Sequence, residues 1–201
     1  VEGAKDLSLL LRAGALPAPL TVLEERTVGA GLGSDSIQYG MIATVIGIVL
    51  VVGVMIISYG LFGVFAVISL IFNIAMIFAG MTLLGATLTL PGIAGIVLVI
   101  GTTVDANVLI YERMRDEYKN GRTLMGALDA GYTRAMSAII DANVTSLLGA
   151  VLMFWFGSGP IKGFAVTLSF GIITSLFTAI MLNRLMVITW VKMAKPKALP
   201  I

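Results

Sequence analysis

The sequence predicts an all-α integral membrane bundle of five transmembrane helices, preceded by the short mixed α/β tail of an external domain. Three observations predict it. Of 201 residues, 58% are hydrophobic and only 12% are charged, against roughly 25% charged in an ordinary soluble domain. The charges are clumped, and the 69 residues from Ser36 to Val104 hold no Asp, Glu, Lys or Arg. Apolar stretches of about 20 residues, the length a membrane helix needs, recur along the chain. A soluble core of this size cannot hide such runs, so a soluble enzyme is excluded.

The elements follow in order. Residues 1–36 are mixed and polar, with Leu7–Leu11 helical in pattern, Pro17 and Pro19 as breakers, and Leu20–Val28 patterned as a strand. So few apolar residues cannot form a core alone, so this segment reads as the end of an external domain lying upstream. A start at Val1, with neither initiator Met nor signal peptide, fits that expectation. Residues 37–201 form the membrane domain, with spans at about 37–58, 61–80, 92–110, 135–156 and 160–191. Ser58-Tyr59-Gly60 reads as a tight turn. The uncharged 81–91 loop closes on Pro91, a residue suited to the first turn of a helix. The 112–134 segment reads as a long charged loop with Asn120-Gly121 as its turn, its first residues extending the preceding helix into water. Within it, Arg113 and Glu117 are placed to pair at i,i+4. Gly157-Ser158-Gly159-Pro160 reads as a tight breaker. The last span is longer than a crossing needs, so its end projects past the bilayer or lies along it.

Orientation follows from Lys and Arg near the span ends. The 112–134 loop holds Arg113, Arg115, Lys119, Arg122 and Arg134, and the C-terminal end holds Arg184, Lys192, Lys195 and Lys197. The opposite turns hold only Lys162. The long loop and the C-terminus therefore face the cytoplasm, and five spans put the N-terminal segment outside. All five Tyr (39, 59, 111, 118, 132) and both Trp (155, 190) fall at span ends or in loops, the pattern of an interfacial belt.

The chemistry rests on carboxylates. The chain has no Cys and no His, so thiolate sites, redox pairs and the usual proton carrier are absent. Asp105 lies eight residues before Arg113 and Asp141 seven after Arg134, each roughly 10–12 Å deep on a helix ruler. Both begin the same tetrapeptide, Asp105-Ala106-Asn107-Val108 and Asp141-Ala142-Asn143-Val144. An Asp at the centre of a membrane helix costs roughly 2.5–3.5 kcal/mol on insertion scales. It must be protonated, paired, or open to a wet cavity. A group that takes up and releases a proton there suits a proton-driven machine; the competing reading is a buried packing residue. Small and hydroxylic residues recur beside it: Gly101 and Thr102 on the third span; Ala138, Ala142, Thr145 and Gly149 on the fourth; Thr167 and Gly171 on the fifth. Such residues let membrane helices approach and hydrogen-bond. They predict a packing seam, and beyond that a bundle of the last three spans around Asp105. Asn73, a lone polar residue in the second span, reads as a structural hydrogen-bonding group.

Several stretches together carry a resemblance. They are Leu10–Pro17 (LLRAGALP), Glu24–Gly29 (EERTVG), Ala86–Ile96 (ATLTLPGIAGI), Val104–Arg113 (VDANVLIYER), Asp141–Thr145 (DANVT) and Gly157–Ala165 (GSGPIKGFA). In order and over essentially the whole chain, they resemble the SecD protein-export membrane protein family, of the resistance–nodulation–division superfamily. Asp116 departs where that family often has Glu, and Ser158 where Thr is usual. The resemblance implies a six-span protein of the bacterial inner membrane with a large periplasmic domain, of which this chain is the C-terminal part. It implies work with SecF beside the SecYEG channel, with YajC as a further partner. The proton motive force would complete export of unfolded preprotein after the ATP-driven SecA step. The family's functional acid maps onto Asp105, which with Asn107, Asp141 and Thr102 makes the candidate proton-coupling set. Membrane lipid and protons are further partners; nucleic acid, cofactor, metal and enzymatic activity are not expected. Three rivals stand beside this: a structural scaffold for an external domain, an exporter of small molecules or lipids from the same superfamily, and an intramembrane aspartyl protease dyad. The last lacks the Gly-x-Gly context and the Tyr-Asp motif of its class.

Overall fold

The structure is a computed structural model describing Ser8 and residues 30–86, 88–196 and 198–199, with side chains from Gln38 onward apart from Ser8. The predicted strand Leu20–Val28 and the motifs at 10–17 and 24–29 lie outside the described residues. The chain divides into two compact units, Val1–Asp35 and Ser36–Ile201. Among the described residues every regular element is helical, and no strand occurs. The elements are α1 (Ala30–Leu83), α2 (Leu90–Lys119), α3 (Leu124–Phe156), α4 (Pro160–Phe177), a π-helical turn (Thr178–Asn183) and α5 (Arg184–Ala194). Four helical runs are long and apolar enough to cross a membrane: Gln38–Leu83, Leu90–Lys119, Leu124–Phe156 and Pro160–Ala194.

The first two expected spans belong to one run, α1, interrupted at Gly60 alone (φ 52°, ψ −124°). That backbone region is open only to glycine. The break folds the chain back on itself. A Cβ added to Gly63 would overlap the Met55 carbonyl, although residues eight apart in a straight helix stand about 12 Å apart. Met41, Thr44 and Ile48 before the break line one cavity with Ile74 and Phe78 after it.

Gly85 (φ 62°) ends α1 by the glycine C-terminal motif, with Ala86 N–H donating to Met81 O at 3.0 Å and Gly85 N–H to Thr82 O at 3.1 Å. Thr89 caps α2, its hydroxyl accepting from Gly92 N–H at 3.2 Å, and Pro91 sits in the first turn. The expected 112–134 loop is instead a helical hairpin. Helix α2 continues to Lys119, the same glycine motif closes it at Gly121 (φ 86°), and Thr123 caps α3 directly. Charged side chains stop a helix from staying in lipid, not from staying helical. Glu117, only 4% exposed, pins this hairpin by ion pairs to Arg122 (2.7 Å) and Arg134, rather than to Arg113.

Helices α2 and α4 are the inner ones; about half of each apolar window is buried, against 6% and 11% for the windows in α1 and α3. Gly171 of α4 lets the two inner helices touch, since a Cβ there would stand 2.5 Å from Val99. Three tyrosines of the expected belt are core residues instead: Tyr59, Tyr111 and Tyr132 are buried, while Tyr39 and Trp155 are exposed. The hydroxyls of Tyr59 and Tyr111 find hydrogen-bond partners inside the bundle, while that of Tyr132 is buried without one among the described residues. Tyr59 and Tyr111 pack at 5.6 Å, and Arg184 lies 5.2 Å over the Tyr132 ring while pairing with Asp129 at 3.0 Å.

Candidate functional site: an acid at the α2–α3 cavity

Asp105 sits midway along α2, exposed, beside a cavity of about 90 Å³ between α2 and α3. Thr102, Asp105, Ala106 and Leu109 line one wall; Ala138, Ile139, Ala142, Asn143 and Ser146 line the other. Asp105 makes no ion pair or side-chain hydrogen bond among the described residues. The cavity is polar in part: Thr102 Oγ1 donates to Val99 O at 3.1 Å, Ser146 Oγ to Ala142 O at 2.9 Å, and Asn143 Nδ2 to Ile139 O at 2.8 Å.

Of the expected site residues, the cavity gathers Thr102, Asp105, Ala138 and Ala142. Asp141 is exposed on α3 and does not line it, and Thr145 is bonded to the Asp141 carbonyl at 2.8 Å. The two Asp-Ala-Asn-Val repeats are thus used differently: the Asp of the first and the Asn of the second share the cavity. Asp105 and Asp141 share no hydrogen bond, as a protease dyad would require. Thr167 and Gly171 lie against Gly95 and Val99, earlier along α2 than the acid, and no residue of α4 lines the cavity. Gly101 and Gly149, expected at a packing seam, have no heavy atom within 4 Å of where a Cβ would stand.

Asn107 points the other way. Two residues from Asp105, it is rotated by about 200° on the helix and is fully buried. There it joins a polar string that sequence reading largely missed. Asn183 Nδ2 donates to Asn107 Oδ1 at 2.7 Å, and Asn107 Nδ2 donates to Thr103 O at 3.2 Å. The Tyr111 hydroxyl lies 2.8 Å from Phe62 O and 2.9 Å from Asn183 Oδ1. Asn73 Nδ2 donates to Thr103 Oγ1 at 2.8 Å, the structural bond its position suggested. The signal was available: Thr103, Asn107 and Tyr111 recur every four residues, and Asn183 is a lone amide in an apolar run.

The comparisons place this arrangement. The family described as "Protein export membrane protein SecD/SecF, C-terminal" matches residues 15–193. The chain is similar to the protein translocase subunit SecD of Rhodobacter capsulatus, 59% identical over 201 residues, covering 100% of the chain and 36% of that protein. It is 51% identical to the same subunit of Rickettsia prowazekii, covering 99% of the chain and 38% of that protein. It also resembles the crystal structure of SecDF, a translocon-associated membrane protein from Thermus thermophilus. There the TM-score is 0.85 and the identity 38%, over 98% of this chain and 27% of that one. The chain therefore spans little more than a third of the length of its curated relatives. It belongs to the SecD/SecF C-terminal family of protein-export membrane proteins.

Proposed function

We propose that the chain is the membrane half of a subunit of the Sec protein-export machinery. In this reading it uses the proton motive force to complete translocation of unfolded preprotein on the periplasmic side, and it is not an enzyme. Asp105 is the coupling acid, with Thr102 beside it; Asn107 and Asp141 act from outside the cavity. The observation that carries this is an unpaired carboxylate beside a partly polar cavity, in a helix long enough to span a bilayer. A bound proton removes the charge that makes the position costly in lipid. One charge crossing 100 mV is worth about 2.3 kcal/mol, enough to bias an external domain between two poses.

The proposed topology counts the break at Gly60 as a reversal, giving five crossings from four helical runs, with 1–36 as the end of a periplasmic domain. The basic hairpin and the C-terminus then face the cytoplasm of a bacterial inner membrane. The change at Asp105 would reach the external domain through residues 33–39. SecF, SecYEG and YajC are the partners this reading expects, and the likeness to SecDF, a translocon-associated membrane protein, supports it.

The test uses the full-length protein with its SecF partner in energised vesicles. With Asp105→Asn, the gradient-dependent release of a trapped export intermediate should fall at least tenfold while the complex still assembles. Export equal to the parent would make the bundle a scaffold and place coupling elsewhere.

A further inference from the structure

Helix α2 has two polar faces with different fates. The outer one carries Thr102 and Asp105 to the cavity. The inner one carries Thr103, Asn107 and Tyr111, all fully buried, and residues of two other segments hold it. These are the arm of α1 after Gly60, where Asn73 reaches Thr103 and the Phe62 carbonyl faces Tyr111, and the π turn, where Asn183 bonds both Asn107 and Tyr111. A helix pinned at three levels along one face resists turning about its axis, so these bonds also fix where Asp105 points.

The helix carrying Asn183 is underwound there by a π turn, Thr178–Asn183. The buried face of the last run passes Gly171, Ser175, Ala179, Asn183, Val187 and Val191, one residue in every four. On a regular α-helix such a repeat drifts by about 40° per step. The wider π turn offsets part of that drift and keeps the Asn183 amide on the buried face. The π turn has no proline or glycine to cause it, since its sequence is Thr-Ala-Ile-Met-Leu-Asn. The two buried hydrogen bonds of Asn183, with Asn107 and Tyr111, are the compensation the structure offers.

We infer that Asn183, acting with Tyr111, is a positioning residue: the π turn and its amide form a latch that sets the rotation of α2 and so holds Asp105 at the α2–α3 cavity. The inference builds on the coupling role proposed for Asp105. The Tyr111 hydroxyl has one proton and two acceptors, Phe62 O and Asn183 Oδ1, so the latch can loosen on the Asn183 side without leaving that hydroxyl unpaired.

The test reads rotation directly. This segment has no cysteine, so Leu109→Cys, on the cavity wall, and Val108→Cys, its neighbour against the core, can be made singly in full-length protein whose other cysteines are removed. Each is labelled with a water-soluble maleimide in membranes containing the SecF partner. Asn183→Leu should change the ratio of the two labelling rates at least fivefold, and Tyr111→Phe should change it in the same direction by less. A general loosening of the bundle raises both rates together, and that result, or an unchanged ratio, overturns the latch. Should Asn183→Leu not accumulate, Tyr111→Phe alone decides by the same ratio. In the export assay, Asn183→Leu should lower the gradient-dependent step severalfold and spare the ATP-driven one. If Asp105→Asn exports like the parent, the coupling role falls, while the labelling ratio still decides whether the latch sets α2.

Discussion

Asn183 Nδ2 stands 2.7 Å from Asn107 Oδ1 and joins residues 76 apart in sequence across two buried helices. Both amides are fully buried, so neither can turn to water if the other is lost.

Asn107→Ala leaves the Asn183 amide without its acceptor, at a cost of about 1–3 kcal/mol for the orphaned group. The melting temperature of the detergent-purified protein should fall. Replacing both partners by Leu should recover part of that loss, because no buried polar group is then left alone. A double variant as unstable as the sum of the singles would show that the pair contributes nothing specific.

Ser69 Oγ is buried with no hydrogen-bond partner. Ser69→Ala removes a desolvated hydroxyl and should leave stability unchanged or raise it by up to about 1 kcal/mol. A fall of more than that in chemical denaturation would mean that the hydroxyl is satisfied, by a bound water for example.

Glu117 is buried under Arg122 and Arg134, which are about half exposed. Glu117→Gln should destabilise the α2–α3 hairpin by about 1–2 kcal/mol, less than a fully buried pair because water screens the two guanidiniums. Limited proteolysis near Asn120-Gly121 should be faster in the variant. Cleavage at the parental rate would show that the turn motifs alone hold the hairpin.

Gly60 adopts φ 52°, ψ −124°, and any side chain there is strained by about 1–3 kcal/mol. Gly60→Ala should lower the yield of folded protein and its melting temperature. An unaffected variant would mean the chain reverses by another route.

Much of the fold was legible because composition and helix length are local quantities. The first-turn Pro91, the breaker before Pro160 and the uncharged run to Val104 are all visible residue by residue. The site was legible in part. Asp105 stood out because a carboxylate in an apolar helix is costly wherever the neighbours lie. Its surroundings were not legible, because they depend on which way each helix turns. Thr145 and Thr167 share the small-residue pattern of Ala138 and Ala142, yet only the last two face the acid. The tyrosines misled for a related reason. A tyrosine at the end of an apolar run suits a headgroup or a buried hydrogen bond equally, and only Phe62 and Asn183 decide the case of Tyr111. The π turn leaves no mark in the sequence of Thr178–Asn183 itself.

The α2–α3 hairpin reaches well beyond the acid. From Asp105 to the turn at Asn120 is 15 residues, about 22 Å of helix. Glu117 and its two arginines tie the arms together near that tip, so the hairpin moves as one rod. A tilt of about 5° at the level of Asp105 therefore swings the tip sideways by about 2 Å. The cavity beside Asp105 and the charged tip of the hairpin are thus the two ends of a single mechanical arm.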